Sequence, residues 1–204
     1  MKNFSQNNEQ QVILNYFKDF KGTFIDIGAN DGDTLSNTRA LALNGWCGVL
    51  VECSPKAFRK LKSLYEGSKK GCFYMYEVAI GNNNGKAILH ESGPLMSSED
   101  VGLVSSLDKE EIKRFSRTVA YEQVEVKVFR WKTFLNRLYT KEFDFISIDI
   151  EGGEIDVLKQ MDLSATKLIC VETNGSQDKK KELDTLLEGF KVIYTSPENL
   201  IFAR

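Results

Sequence analysis

Phe24-Ile25-Asp26-Ile27-Gly28-Ala29-Asn30-Asp31-Gly32-Asp33-Thr34 is the stretch that decides how this chain is read. An apolar run with an acid near its end, then glycines, then a polar residue ahead of an apolar-periodic segment, predicts a buried strand turning sharply into a helix. Gly28 and Gly32 permit a close approach of backbone to ligand and a positive φ. In an open α/β sheet the carboxyl ends of the strands face the ligand crevice, so Asp26 is expected to meet the polar or cationic part of whatever binds. The glycines lack the spacing of a dinucleotide fingerprint, and no Gly-Lys-Ser/Thr closes a phosphate loop. One acid among few bare backbone donors suits a ligand with a positive or neutral group better than a pyrophosphate.

Two more strands end in acids, Glu52 and Asp149. Equivalent ends lie side by side on a parallel sheet, so the three carboxylates are expected to converge at the switch point. Glu52 follows the glycine turn at about the separation, roughly 20 residues, of the acid that accepts ribose hydroxyls in nucleotide folds. S-adenosylmethionine fits such a crevice.

Around this centre, apolar runs alternate with helical patterns. Glu9 to Phe20 predicts a helix laid on the sheet before the first strand, within an N-terminal stretch of 1–21. Thr34 to Asn44 predicts the helix after the glycine turn. Ser54-Pro55 marks a helix start, with serine as cap and proline at the first helical position. Cys72 to Ile80 reads as one aromatic-rich strand, Lys86 to Glu91 as a short extra strand and Val124 to Phe129 as a half-exposed strand. Residues 85–130 form an insertion. Within it the weak pattern from Ser92 to Ser106, with serine pairs at Ser97-Ser98 and Ser105-Ser106, predicts a substrate lid. After Phe143 to Ile150, a strand, and Glu151-Gly152-Gly153-Glu154, a helix entry, the chain ends in a strand, a helix and a hairpin. The fold class is α/β with three α-β-α layers: a mostly parallel sheet with one antiparallel strand near its edge.

At 204 residues the chain accommodates one domain, 1–204. With 27 basic and 29 acidic residues, net charge −2, it has no global basic field of the kind a nonspecific nucleic-acid binder needs. No run approaches membrane-spanning length and the amino terminus has no apolar signal core, so a cytoplasmic protein is expected. Cys47, Cys53, Cys72 and Cys170 form no C-x-x-C pair and lie in or beside apolar runs; reduced core thiols are expected.

Together, the D-I-G-A-N turn at Asp26 to Asn30, Glu52, Val78-Ala79-Ile80-Gly81, Ser105-Ser106-Leu107 and Ile148-Asp149-Ile150-Glu151-Gly152-Gly153-Glu154 resemble the FkbM family of S-adenosylmethionine-dependent methyltransferases. The resemblance implies the Rossmann-like class I methyltransferase fold with a seven-stranded sheet. It also implies O-methylation of a hydroxyl on a sugar, polysaccharide, glycolipid or natural product. Cofactor contacts are expected from Asp26, Gly28, Asn30, Asp31, Gly32, Glu52, Cys53, Val78, Ala79 and Asp149. Cys53-Ser54-Pro55 departs from the family pattern, in which proline commonly follows the acid directly.

Methyl transfer from a sulfonium needs alignment and a deprotonated nucleophile. Asp149 and Glu151 are candidate general bases. With Glu172 they form an alternative set of oxygen ligands for a hard divalent cation, although no ligand spacing is diagnostic of a metal. His90 is a further candidate base, imidazole being the side chain most often used for general-base work. Ser105 and Ser106 are candidate substrate contacts. The expected partner is a small-molecule or glycosidic acceptor. Other readings are methylation of a protein or RNA nucleophile, and a catalytically silent domain that binds the cofactor or serves as a scaffold.

Overall fold

β1 (Thr23–Ile27) is the strand predicted from the opening stretch, with Phe24 and Ile25 fully buried in the computed structural model, which describes residues 2–68, 71–95 and 102–204. The pair Ser97-Ser98 lies outside the described residues. From β1 the chain passes through α2 (Arg39–Leu43), β2 (Cys47–Glu52), α3 (Pro55–Tyr65) and β3 (Phe73–Glu77), building one flank of the sheet. It then returns to β7 (Phe145–Ile148), on the other side of β1, and continues through α6 (Glu154–Leu158), β8 (Leu168–Glu172), α7 (Gln177–Leu186), β9 (Lys191–Thr195) and β10 (Asn199–Ala203). The seven strands run in the order β3-β2-β1-β7-β8-β10-β9, with β10 antiparallel to both of its neighbours. The order reverses between β1 and β7, which makes that boundary the switch point.

Strand alternation divides the core into two layers. Ile25 and Ile27 of β1 join Ile146 and Ile148 of β7 on the face covered by Trp131 and Phe134 of α5 (Trp131–Leu135), Val157 of α6 and Leu183 of α7. Phe24 and Phe145 point to the opposite face and pack with Ile13 and Phe17 of α1 (Glu9–Phe17), Leu41 of α2 and Leu61 of α3. Full burial of each such side chain contributes about 1.5–3 kcal/mol.

The helices start where capping chemistry permits. Ser54 accepts from the Ala57 N–H at 3.1 Å with Pro55 in the first turn, and Ser176 accepts from the Lys179 N–H to open α7. α2 starts five residues later than its pattern predicts, because Leu35 adopts φ +54° and cannot continue a helix. The aromatic strand expected from Cys72 to Ile80 is two strands. β3 joins the main sheet, whereas β4 (Ala79–Ile80) joins β5 (Gly85–Ser92) and β6 (Tyr121–Phe129) in a smaller sheet of order β4-β6-β5. Residues 85–130, expected from sequence to be an insertion, contain among the described residues β5, a charged helix α4 (Lys109–Phe115) and β6.

The cysteine expectation needs one correction. Cys47 opens β2 and Cys72 immediately precedes β3; the pairing of Gly48 with Phe73 brings their Cα atoms to 4.6 Å, and a disulfide joins them. Their separation of 25 residues concealed an adjacency created by strand register. Cys53 and Cys170 are free thiols, as expected. No helix among the described residues is long and apolar enough to cross a membrane.

Candidate active site

Register places the crevice. Ile27 pairs with Val51 on one side and with Ile148 on the other, so Glu52 and Asp149 flank the residue after β1, Gly28. The Gly28 N–H donates to the Val51 carbonyl at 2.9 Å and the Asp149 N–H to the Ile27 carbonyl at 2.9 Å, extending both ladders past the strand ends. A Cβ on Gly28 would lie 1.6 Å from the Asp149 carbonyl oxygen, and the residue has φ +87°. Only glycine fits this close approach of two chain segments.

A cavity of about 650 Å³ opens over these ends. Its volume is that of a small-molecule or cofactor site. Gly28, Asn30, Glu52, Cys53, Val78 and Ala79 line one part of it, with Ile80, Gly81 and Asn82 beyond; Asp149, Glu151, Gly152 and Gly153 line another. Gly102, Leu103 and Ser105, together with Leu107 to Glu110 at the start of α4, form the wall contributed by the insertion. Among the described residues the wall carries six acids, Glu52, Asp108, Glu110, Asp149, Glu151 and Asp156, against one base, Lys109.

Glu52 is fixed by the backbone. One carboxylate oxygen accepts the Asn30 N–H at 2.8 Å and the other accepts the Ser54 N–H at 2.6 Å. Burial pushes its pKa up to about 7, the backbone donors pulling the other way. Across the cavity, burial raises Asp149 and Glu172 well above the usual carboxylate range. The charge of Glu151 adds to the rise for Asp149, and that of Asp149 to the rise for Glu172. Glu151 is raised by burial and then by Glu172. One carboxylate oxygen from each of Asp149, Glu151 and Glu172 lies within 4.8 Å of the others.

The loop after β7 is held in an uncommon backbone state. Glu151, Gly152 and Gly153 have φ of +52°, +116° and +91° in succession. For the non-glycine Glu151 this costs about 1–3 kcal/mol, a strain that surrounding contacts must offset. Ser106 supplies one of them, its Oγ donating to the Glu151 carbonyl at 2.6 Å, and Glu154 accepts the Gly152 N–H at 2.7 Å.

Several predicted site residues are not on the wall. Asp26 sits one position before the strand end, where alternation turns it away from the cavity; its carboxylate accepts from Thr38 Oγ1 at 2.6 Å behind the turn. Asp31 caps the turn itself, accepting from the Asp33 and Thr34 N–H groups, and Gly32 packs against Leu61 and Tyr65. Ser105 reaches the cavity, whereas Ser106 acts through the Glu151 loop. His90 is off the wall, bonded through its backbone to Ser106, while its neighbour Leu89 lines the cavity. Glu172 stands behind Asp149 and Glu151 rather than on the surface of the cavity. The sequence reading missed Asp108 to Glu110; the aspartate cap of a short charged helix was the available signal, since Asp108 accepts the Glu110 N–H at 2.8 Å.

The sequence matches the Methyltransferase FkbM domain over residues 26–193. The fold superposes on the crystal structure of methyltransferase FkbM from Methylobacillus flagellatus KT with a TM-score of 0.53 at 10% identity, covering 90% of this chain and 44% of that one. It also superposes on monomeric WbdD with a TM-score of 0.51 at 12% identity, covering 98% of this chain and 41% of that one. The chain thus spans less than half the length of either protein, and at such identities the likeness is one of fold. No curated protein sequence matches it. The domain match contains the glycine turn, Glu52 and the loop after β7, within a seven-stranded Rossmann-like sheet, and the chain belongs to the FkbM methyltransferase family.

Proposed function

We propose that the cavity binds S-adenosylmethionine and that the protein transfers its methyl group to a hydroxyl oxygen of a sugar, polysaccharide, glycolipid or natural product. The observation that carries this reading is the placement of Glu52 and Asp149 on either side of Gly28 at the switch point, in one acid-rich cavity. A ligand with a sulfonium and an ammonium group fits walls with six acids and one base. Glu52, already oriented by two backbone donors, accepts the ribose hydroxyls. Gly28 and Asn30 let the chain pass beside the nucleoside, and Val78 and Ala79 provide apolar contact near its base.

When bound, S-adenosylmethionine supplies a methyl group on a positively charged sulfur. The hydroxyl proton must leave, and Asp149 and Glu151 line the cavity to receive it. A carboxylate whose pKa is raised by burial is a stronger base than an exposed one once ionised, and a cationic sulfonium beside it would favour the ionised form. Ser105, which lines the cavity beside Gly102 and Leu103, donates to the acceptor. The test is incubation with methyl-labelled S-adenosylmethionine and fractionated extracts of the host. Label in an alkali-stable ether on a glycosidic or hydroxylated small molecule supports the reading; label confined to protein or RNA overturns the acceptor class.

A further inference from the structure

We propose that Asp149, Glu151 and Glu172 form a binding site for one hard divalent cation at the floor of the cavity, an inference that rests on the methyltransferase reading only for its purpose. A carboxylate oxygen of each residue lies within 4.8 Å of the other two. Opposed ligands of calcium stand about 4.6–5.2 Å apart and those of magnesium about 4.0–4.2 Å, so the cluster accepts either ion with small side-chain adjustments.

The second observation is unmet bonding capacity. Glu172 is only 5% exposed, and its Oε2 has no hydrogen-bond partner; Glu151 Oε2 is likewise buried without one. Buried carboxylate oxygens are costly when unpaired, and carboxylates this close repel unless a proton or a cation lies between them. Neighbouring cations do not meet that need. Glu154 is already engaged, one oxygen with the Gly152 N–H and the other with Lys179 Nζ at 3.0 Å. Arg114 is directed to Glu111 at 3.3 Å. Among the described residues no lysine or arginine forms an ion pair with Asp149, Glu151 or Glu172.

The donor set selects the ion. It is all oxygen, without histidine nitrogen or cysteine sulfur, which suits magnesium, calcium or manganese rather than zinc or copper. Asp149 and Glu151 face the cavity while Glu172 supports them from behind, so the remaining coordination positions open toward the acceptor space. That arrangement suits an acceptor presenting oxygen ligands, as a polyhydroxylated substrate does.

The probe is Mn²⁺ added to chelator-treated, buffer-exchanged protein, with the paramagnetic resonance signal of the free ion read as it is titrated. The site predicts uptake of one Mn²⁺ per chain, displaced by excess Mg²⁺ or Ca²⁺ and retained when S-adenosylhomocysteine is present. Glu172→Gln and Glu151→Gln should each weaken uptake by at least about tenfold, since loss of even an orienting partner has such effects. Glu122→Gln, on the exposed strand β6, should leave it unchanged, and circular dichroism confirms that each variant folds. Absence of uptake by folded wild-type protein overturns the site, leaving a shared proton as the cluster's partner. Displacement of Mn²⁺ by S-adenosylhomocysteine also overturns it, because the acids would then seat the ligand's ammonium group. Uptake of Mn²⁺ without binding of S-adenosylhomocysteine would uphold the cation site and instead contradict the proposed function.

Discussion

Glu52, the last residue of β2, accepts the backbone N–H of Asn30 at 2.8 Å and so braces the turn that follows β1. Asn30 has φ +49°, a state that a residue with a side chain adopts at some cost, and this bond helps to hold it. The side chain proposed to hold the ribose therefore also shapes the loop beneath it. Glu52→Ala should weaken S-adenosylhomocysteine binding by roughly 1–3 kcal/mol in calorimetry. Glu52→Gln, which keeps acceptor capacity on one atom, should lose less.

The same residue predicts a pH dependence. With its carboxyl at about pH 7 in the ligand-free site, Glu52 is partly protonated at neutrality, whereas donation from ribose hydroxyls favours the ionised form. Affinity should rise as pH increases through 7 and fall on the acid side by up to about tenfold per pH unit. Glu52→Gln should flatten this profile. A flat profile in the wild type would remove the ionised carboxylate from the contact.

Asp26 makes a stability prediction. Burial raises its pKa to about 6, offset in part by hydrogen bonds from Thr38 and Ser147. The stabilisation from this raised value is complete below the unfolded pKa, about 4, and is lost as pH rises through 6. Relative to wild type, Asp26→Asn should gain roughly 1–2 kcal/mol between pH 5 and pH 8, measured by urea denaturation at both. A difference independent of pH would show that Asp26 titrates normally.

Where sequence sufficed and where it failed have physical causes. Apart from the run from Cys72 to Ile80, which divides between two sheets, the strands, the switch point and the antiparallel β10 were legible because each depends on local periodicity and on the order of elements. Glu52 and Asp149 were legible because the last residue of a strand, or the one directly after it, lies at the crevice whatever its neighbours do. Asp26 was misplaced by one residue, and a period of two turned that error into the wrong face. The Cys47–Cys72 bond and the wall at Asp108 depend on contacts between segments far apart in the chain, which carry no local pattern.

Gly28→Ala tests the closest backbone approach at the site. A methyl group 1.6 Å from the Asp149 carbonyl oxygen, at φ +87°, requires the two strand ends to separate. The substitution should destabilise by about 3 kcal/mol or more. Gly189→Ala is the control, because that glycine has φ +94° with nothing within 4 Å of the added carbon; about 1 kcal/mol is expected there. Similar losses at the two positions would show that backbone conformation alone, not the contact with β7, dictates glycine at 28.

The disulfide has consequences for both stability and compartment. Opening the Cys47–Cys72 bond should cost about 3 kcal/mol by releasing a 25-residue separation in the unfolded chain. Thermal melts with and without reductant, and of the Cys47→Ser/Cys72→Ser double variant, measure this. A melting temperature insensitive to both would contradict it. Because reducing compartments open such bonds, recovery of the native protein with Cys47 and Cys72 oxidised would also argue against the cytoplasmic location expected from sequence.

Calorimetric titration of the folded protein with S-adenosylhomocysteine tests the central claim most directly. The account predicts one site per chain, weakened by Glu52→Ala and abolished by a bulky side chain at Ala79, which lines the cavity. Failure to bind at millimolar ligand, or binding that neither substitution alters, would contradict it.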